Sequence, residues 1–198
     1  MNNFKVAIVY HYVAHYRKPI FEILCKDQEV DYFVAADEKS NIESLPVMSA
    51  RQDSCGEIIC QRWLVLNNIW INKYFVWQKG LMSIAFSNEF DDLILLGNMY
   101  FISTWFAAVI GRLRGKKVYF WTHGYRNHEK GVKGFIRGVF YKLANGLMLY
   151  GNRAKSILVD RGFSPDKLYV IYNSLDFDEQ NQILGKITNE KQSFKRGC

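Results

Sequence analysis

The chain has 198 residues, 49% of them hydrophobic and 23% charged, with a formal charge of +7 at neutral pH. This is enough for one substantial α/β domain but not for two full lobes, and the apolar content excludes a disordered chain or a disulfide-dependent scaffold. The positive excess points to a negatively charged partner such as nucleic acid, anionic lipid or a phosphorylated ligand.

The first apolar run, Phe4 to Tyr10 (FKVAIVY), is short and β-branched, as expected of a strand covered on both faces. Pro19 then sits where a first helical turn accepts it, and Ile20, Phe21, Ile23 and Leu24 continue at helical spacing. Strands follow at 31–35 and 62–66, with residues 37–60 read as loop or weak structure between them. An aromatic-rich helix is expected over about 74–86. Strand 92–96, a helix over about 100–113, strand 117–121, a helix over about 131–144 and strand 146–150 complete a regular alternation. Asn152 is the expected N-cap of the next helix, Gly162 its C-terminal stop, and 168–172 the last strand.

Residues 93–111 carry no charge, and Arg112, Arg114, Lys116 and Lys117 follow at once. A membrane span with a positive flank would look similar. Gly97-Asn98 interrupts the run, however, and it divides naturally into a buried strand and a helix. The start MNNFKVAIVYHYV has no basic region followed by a long apolar core, so no signal peptide is expected. Cys25, Cys55, Cys60 and Cys198 form no CxxC pair and are expected as reduced thiols of a cytosolic protein.

Strands separated by helices need crossover connections, which predict a Rossmann-like, doubly wound parallel sheet. Ligands of such sheets bind beyond the carboxyl ends of the strands. After the first strand, YHYVAHYRKP contains no glycine, so a dinucleotide-binding turn is not expected. It offers His11, Tyr12, His15, Tyr16 and Arg17 ahead of a helix, suited to stacking on a sugar or holding a phosphate; the alternative is that the histidines cap local turns. No Cys, Asp or Glu accompanies the H-x3-H spacing, and no metal is expected. Gly97 and Asn98 end the strand at 92–96. Thr122-His123-Gly124, followed by Tyr125 and Arg126, ends the next one, with His123 the natural proton-handling group.

Residues 112–142 hold nine Lys/Arg and one Glu, a net +8, so the whole positive excess lies in one segment. Within it Val132, Phe135, Ile136, Val139, Phe140 and Leu143 form an apolar helical stripe, and Lys130, Lys133 and Arg137 form a second, basic one. The stripe is expected to face the core, with the cations either meeting anionic lipid or phosphate or standing in solvent. No recognised nucleic-acid module is visible, and nucleic acid is not an expected partner. Asp176-Phe177-Asp178 is formally a DxD, read here as a solvated turn.

Several of these stretches resemble family 4 glycosyltransferases of the two-lobed GT-B architecture. The most specific is GNRAKSILVDRGFSPDKLYVIYNSLD (151–176), in which Gly162, Pro165, Lys167, Val170, Ile171, Asn173 and Asp176 match the signature that leads into the hinge between lobes; Ser174 replaces the usual glycine. The opening KVAIVYHYVAHYRKPIFEIL resembles the Y-x-x-H-Y-R-x-P-x-F-x-x-L start of many bacterial members, and WTHG their strand-end histidine motif. The resemblance covers about 4–178.

It implies an acceptor-side lobe over 1–176 and a hinge remnant or tail over 177–198, with the nucleotide-sugar lobe and its Glu-x7-Glu motif lacking. It implies retaining transfer of a sugar from a nucleotide-sugar donor, with no other cofactor, to a lipid-linked or polysaccharide acceptor. His123 would lie at the reaction centre, and His11 to Arg17, Gly97, Asn98, Gly124 to Arg126 and Asn173 would line the substrate cleft. Without the second lobe the chain is expected to be inactive alone, or to need a separate chain that supplies it. The expected location is cytoplasmic, at the inner membrane face. The competing readings are a non-catalytic membrane- or partner-binding module and a different Rossmann-type enzyme using a small-molecule cofactor.

Overall fold

In a computed structural model the residues described are 3–39, 47, 62–125, 129 and 131–172. Seven strands form one all-parallel sheet: β1 (Phe4–Tyr12), β2 (Val30–Asp37), β3 (Trp63–Val65), β6 (Asp92–Leu96), β7 (Lys117–Thr122), β8 (Gly146–Leu149) and β9 (Leu168–Val170). Their spatial order is β3-β2-β1-β6-β7-β8-β9. Two short strands, β4 (Asn67–Trp70) and β5 (Val76–Lys79), pair antiparallel as a separate hairpin. The helices are α1 (Lys18–Cys25), α2 (Leu81–Phe86), α3 (Ile102–Leu113), α4 (Gly131–Lys142) and α5 (Asn152–Asp160).

Side chains alternate between two cores, as the pleat requires. On one face Ala7, Val9, Leu93, Leu95, Val118, Phe120, Leu147 and Leu149 pack against α2, α3, α4 and α5. On the other, Val6, Ile8, Val34 and Ala36 pack against Phe21 of α1. Helices on both faces of a parallel sheet make the doubly wound, Rossmann-like fold that the alternation implied. The run at 93–111 is strand β6 followed by α3, and among the described residues no helix is long and apolar enough to cross a membrane.

Four local expectations are corrected. The helix expected over 74–86 is β5 plus a six-residue α2, divided at Gly80, whose φ of +100° is left-handed. Asn72 starts the hairpin turn: its Oδ1 accepts the amides of Tyr74 and Phe75 at 2.8 and 2.9 Å. Asn152 is the first residue of α5 rather than its cap; Gly151 takes the N-cap position, without a side-chain hydrogen bond. Gly162 does follow α5 with φ +84°. Cys25 is disulfide-bonded rather than a free thiol, and its partner cysteine lies outside the described residues.

The fourth correction concerns α4. Val132, Phe135, Ile136 and Val139 are exposed, Val132 and Phe135 to 75% and 72%, while Phe140 and Tyr141 are buried. The helix therefore turns most of its apolar stripe away from the core. The side that carries Gly134, Arg137 and Gly138 faces inward, because the glycines allow close approach to Glu129 and Tyr125, while Lys133 stays exposed.

Candidate functional site

The strand order reverses between β1, which leads outward through β2 to β3, and β6, which leads the other way through β7 and β8. A crevice must open beyond the carboxyl ends of strands at such a point. A cleft of about 470 Å³ lies there, within the size range of small-ligand sites. Its walls come from the segment after β1 (Tyr10, His11, Tyr12, Ala14, Tyr16, Arg17), from the end of β6 (Leu96, Gly97, Asn98, Tyr100), and from the end of β7 (Trp121 to Gly124). Tyr150 after β8, with Glu129, Lys133 and Arg137, closes it.

Arg17 organises one wall. Its Nη1 donates to the Tyr10 hydroxyl at 3.0 Å and its Nη2 to the Tyr150 hydroxyl at 2.8 Å; the two hydroxyls are 2.8 Å apart. The guanidinium carbon also lies 5.1–5.9 Å from the ring centroids of Tyr10, Tyr16, Trp121 and Tyr150. Rings in this arrangement hold the cation. Tyr10 and Trp121 are buried core residues, so Tyr16 and Tyr150 are the partly exposed rings on which a sugar can stack. Burial, reinforced by the neighbouring Tyr150 phenol, holds the Tyr10 hydroxyl well above its ordinary pKa. Tyr10 is thus a neutral hydrogen-bonding group at working pH.

His123 projects into solvent at the end of β7, its ring 4.4 Å from that of Tyr150. The backbone beneath it is fastened from three sides. Thr122 Oγ1 donates to the Gly97 carbonyl at 2.8 Å, lies 3.0 Å from the Tyr141 hydroxyl, and accepts the Gly124 amide at 3.2 Å; the Tyr141 hydroxyl donates to the Gly124 carbonyl at 3.2 Å. A Cβ on Gly97 would stand 2.7 Å from the Thr122 Cβ, so glycine is required for β6 and β7 to meet here. A histidine on so rigid a base is held in the way that positioned chemistry requires.

The opposite wall belongs to α4. Arg137 forks onto Glu129, Nε to Oε2 at 3.0 Å and Nη2 to Oε1 at 3.3 Å, while Arg161 donates to the Glu129 carbonyl and its guanidinium carbon lies 4.0 Å from the Tyr125 ring centroid. A Cβ at Gly134 would come within 2.5 Å of that same carbonyl oxygen. Gly134→Ala is expected to displace Glu129 and lower stability by about 1–3 kcal/mol, read from the urea midpoint. Gly115→Ala meets nothing within 4 Å, and only its φ of +81° opposes it; it should cost less.

His11 lines the cleft beside Tyr12, ring centroids 3.8 Å apart. Burial, helped by the nearby Arg17 charge, lowers its pKa from 6.5 to about 4. A histidine depressed in the folded state favours folding above its unfolded pKa. Between pH 6.5 and 4 the unfolded chain binds the extra proton, so stability falls as pH falls through that window. This residue should contribute on the order of 3 kcal/mol of acid sensitivity there, and His11→Gln should flatten the stability profile between those limits. The Nδ1 atom of His11 and the Nε1 atom of Trp121, both in cleft residues, are buried without a hydrogen-bond partner. Such groups invite a ligand's polar atoms.

Of the expected site residues, His11, Tyr12, Tyr16, Arg17, Gly97, Asn98, His123, Gly124, Lys133 and Arg137 come together around this cleft. Arg137 does so half-buried against Glu129, while Lys133 lines the rim and stays exposed. His15 is exposed and outside the cleft; Tyr125 is buried under α4, its hydroxyl donating to the Gly134 carbonyl at 2.9 Å. Arg126, Lys130, Asn173 and the DxD at 176–178 lie outside the described residues. Sequence reasoning missed Tyr150, Trp121 and Glu129. Each sits at a strand end or in a loop, where a polar tip on a run of apolar residues is the available signal. Among the described residues no cluster of His, Cys, Asp or Glu is placed to hold a metal ion.

No family model matches the sequence, and no curated protein matches it either. Solved structures do match in fold. The apo form of the lipopolysaccharide outer core galactosyltransferase WaaB aligns with a TM-score of 0.53 and 12% identity, over 86% of this chain and 46% of that one. UDP-GlcNAc 2-epimerase from Neisseria meningitidis, bound to UDP-GlcNAc, aligns at 0.54 and 14%, over 96% and 52%. The Methanocaldococcus jannaschii UDP-GlcNAc 2-epimerase, in complex with UDP-GlcNAc and UDP, aligns at 0.53 and 14%, over 86% and 46%. The chain thus spans about half the length of these structures, and at such identities the likeness shows the fold alone: a Rossmann-like sheet of the kind found in GT-B glycosyltransferases and nucleotide-sugar epimerases.

Proposed function

We propose that this chain is the acceptor-side lobe of a retaining glycosyltransferase resembling family 4, which transfers a sugar from a nucleotide-sugar donor to a lipid-linked or polysaccharide acceptor. The observation that carries this reading is the switch-point cleft, where His123, Arg17, Lys133 and Arg137 converge with the rings of Tyr10, Tyr16, Trp121 and Tyr150. The partly exposed rings of Tyr16 and Tyr150 suit a sugar, and Lys133 with Arg17 suits a phosphate or another anionic group on the substrate, Arg137 being held by Glu129. In the transfer, the bond from the anomeric carbon to the acceptor oxygen would form on the same face from which the diphosphate departs, and the acceptor hydroxyl would pass its proton to the departing diphosphate oxygen. His123 would contact the reacting sugar; the departing diphosphate would need the donors of a second, nucleotide-binding lobe.

The protein would work peripherally at the inner face of a membrane. That location requires the Cys25 disulfide to be reduced in the cell, which thiol alkylation before lysis reads directly. The function is tested with a panel of nucleotide sugars and lipid-linked acceptors, a nucleotide-binding lobe being supplied as a second chain. Transfer that depends on both chains supports the reading. Failure with every donor, together with no acceptor binding by NMR, would sink it. Epimerisation of UDP-GlcNAc without transfer would assign the fold to the other chemistry.

A further inference from the structure

The β4–β5 hairpin rises from the same rim as the cleft and carries an unusual surface. Its tip exposes Ile69, Trp70, Ile71, Tyr74 and Phe75, at 38–66% each, around the exposed Lys73. Residues 67–79, NNIWINKYFVWQK, contain two lysines and no acid. A soluble surface rarely gathers so many large apolar side chains on one projection without a partner.

The root of the hairpin, in contrast, is fixed by polar contacts. Asn68 donates from its amide to Asp37 Oδ2 at 2.7 Å and from Nδ2 to the His11 carbonyl at 2.6 Å. Fully buried Gln78 donates from Nε2 to the Tyr10 carbonyl and to Asn68 Oδ1, both at 3.0 Å, and its amide reaches Ser103 Oγ at 3.0 Å. The apolar tip is therefore held out on a stiff base tied directly to the first cleft wall.

The tip also lies beside other exposed apolar surface. Trp77 of β5 approaches Phe106 of α3, itself 53% exposed, with ring centroids 5.9 Å apart. Across the cleft, α4 presents Phe135 outward while its Lys133 lines the cleft. Two apolar projections thus bracket the cleft, the hairpin on the side of His11 and α4 on the side of Arg137.

We propose that the hairpin tip is a bilayer anchor: Trp70, Ile71, Tyr74 and Phe75 enter the interfacial layer of an anionic membrane with Lys73 at headgroup level. Amphipathic aromatic rings and lysine are the side chains that settle at that depth, and the absence of acids complements an anionic surface. With α4 as the second contact, the cleft mouth faces the lipid. The inference rests on the membrane-peripheral reading above and names the element that delivers it.

Flotation of the 198-residue chain with vesicles of phosphatidylcholine alone, and with phosphatidylglycerol added, tests this. The wild type should float with the anionic vesicles, and Trp70→Ser/Tyr74→Ser should lower its partition on the order of tenfold or more. Lys73→Glu, at an exposed position, should lower it by about tenfold without burdening the fold. Brominated lipid should quench the wild type more than Trp70→Phe. Equal flotation and equal quenching of all variants would overturn the hairpin anchor while leaving peripheral binding intact. Loss of all flotation in the wild type would overturn both, and acceptor binding in the cleft would then still be measurable on its own. If light scattering showed the wild type to be a dimer that Trp70→Ser/Tyr74→Ser dissociates, the tip would be a self-association surface and the proposal would fail.

Discussion

Replacing Phe140 by alanine is expected to lower the unfolding free energy by about 3–5 kcal/mol, with a matching drop in the urea midpoint. Phe140 has no solvent exposure; its ring stacks on Phe120 at 4.5 Å and 19°, and lies 4.8 Å from the Trp105 ring. Of the large side chains on α4, Phe140 and Tyr141 alone are fully buried, so the docking of the helix depends on them. Alanine there leaves a void between two strand-borne and helix-borne rings that cannot collapse without moving β7. Phe135→Ser, on the same helix but 72% exposed, should stay within about 0.5 kcal/mol of the wild type. The contrast decides how α4 is oriented. If the whole apolar stripe faced inward, both replacements would be severe.

That orientation was not legible from the sequence, although the helix was. A period of 3.6 shows that Val132, Phe135, Ile136 and Val139 share a face, but it does not say which face meets the sheet. Gly134, Gly138 and Arg137 decided it: small residues allow close approach to Glu129 and Tyr125, and the paired guanidinium can be covered. The strands of the main sheet were easier, because strands buried on both faces read as continuous apolar runs. The hairpin was lost for the opposite reason. Its Trp, Phe and Val residues fit a pleated surface as well as a helix, and the signal that separated them was local, in the Asn72 turn and the left-handed Gly80. Most of the cleft could be placed because strand ends in a parallel sheet gather on one rim. The Tyr10–Arg17–Tyr150 cluster joins residues 133 and 140 positions apart, and a pairing at that range leaves no mark on a single sequence.

His123→Ala is expected to reduce kcat/KM by about 10²–10⁴-fold in an assay with a nucleotide-binding lobe supplied, while changing stability by less than about 0.5 kcal/mol. The second half of that expectation follows from exposure: the ring is exposed at the strand end, tilted by 42° against the Tyr150 ring. The first half follows from placement, since Thr122, Gly97 and Tyr141 fix the backbone on which the ring stands. Thr122→Val provides the companion measurement. It keeps the histidine but removes the hydroxyl that joins Gly97, Gly124 and Tyr141, so it should lower kcat through misplacement and also cost about 1–3 kcal/mol of stability. A chemical role for His123 predicts loss of turnover without loss of fold; a structural role predicts that the two fall together. Unchanged turnover in His123→Ala, with a productive second lobe present, would remove the histidine from the reaction and leave the cleft as a binding surface.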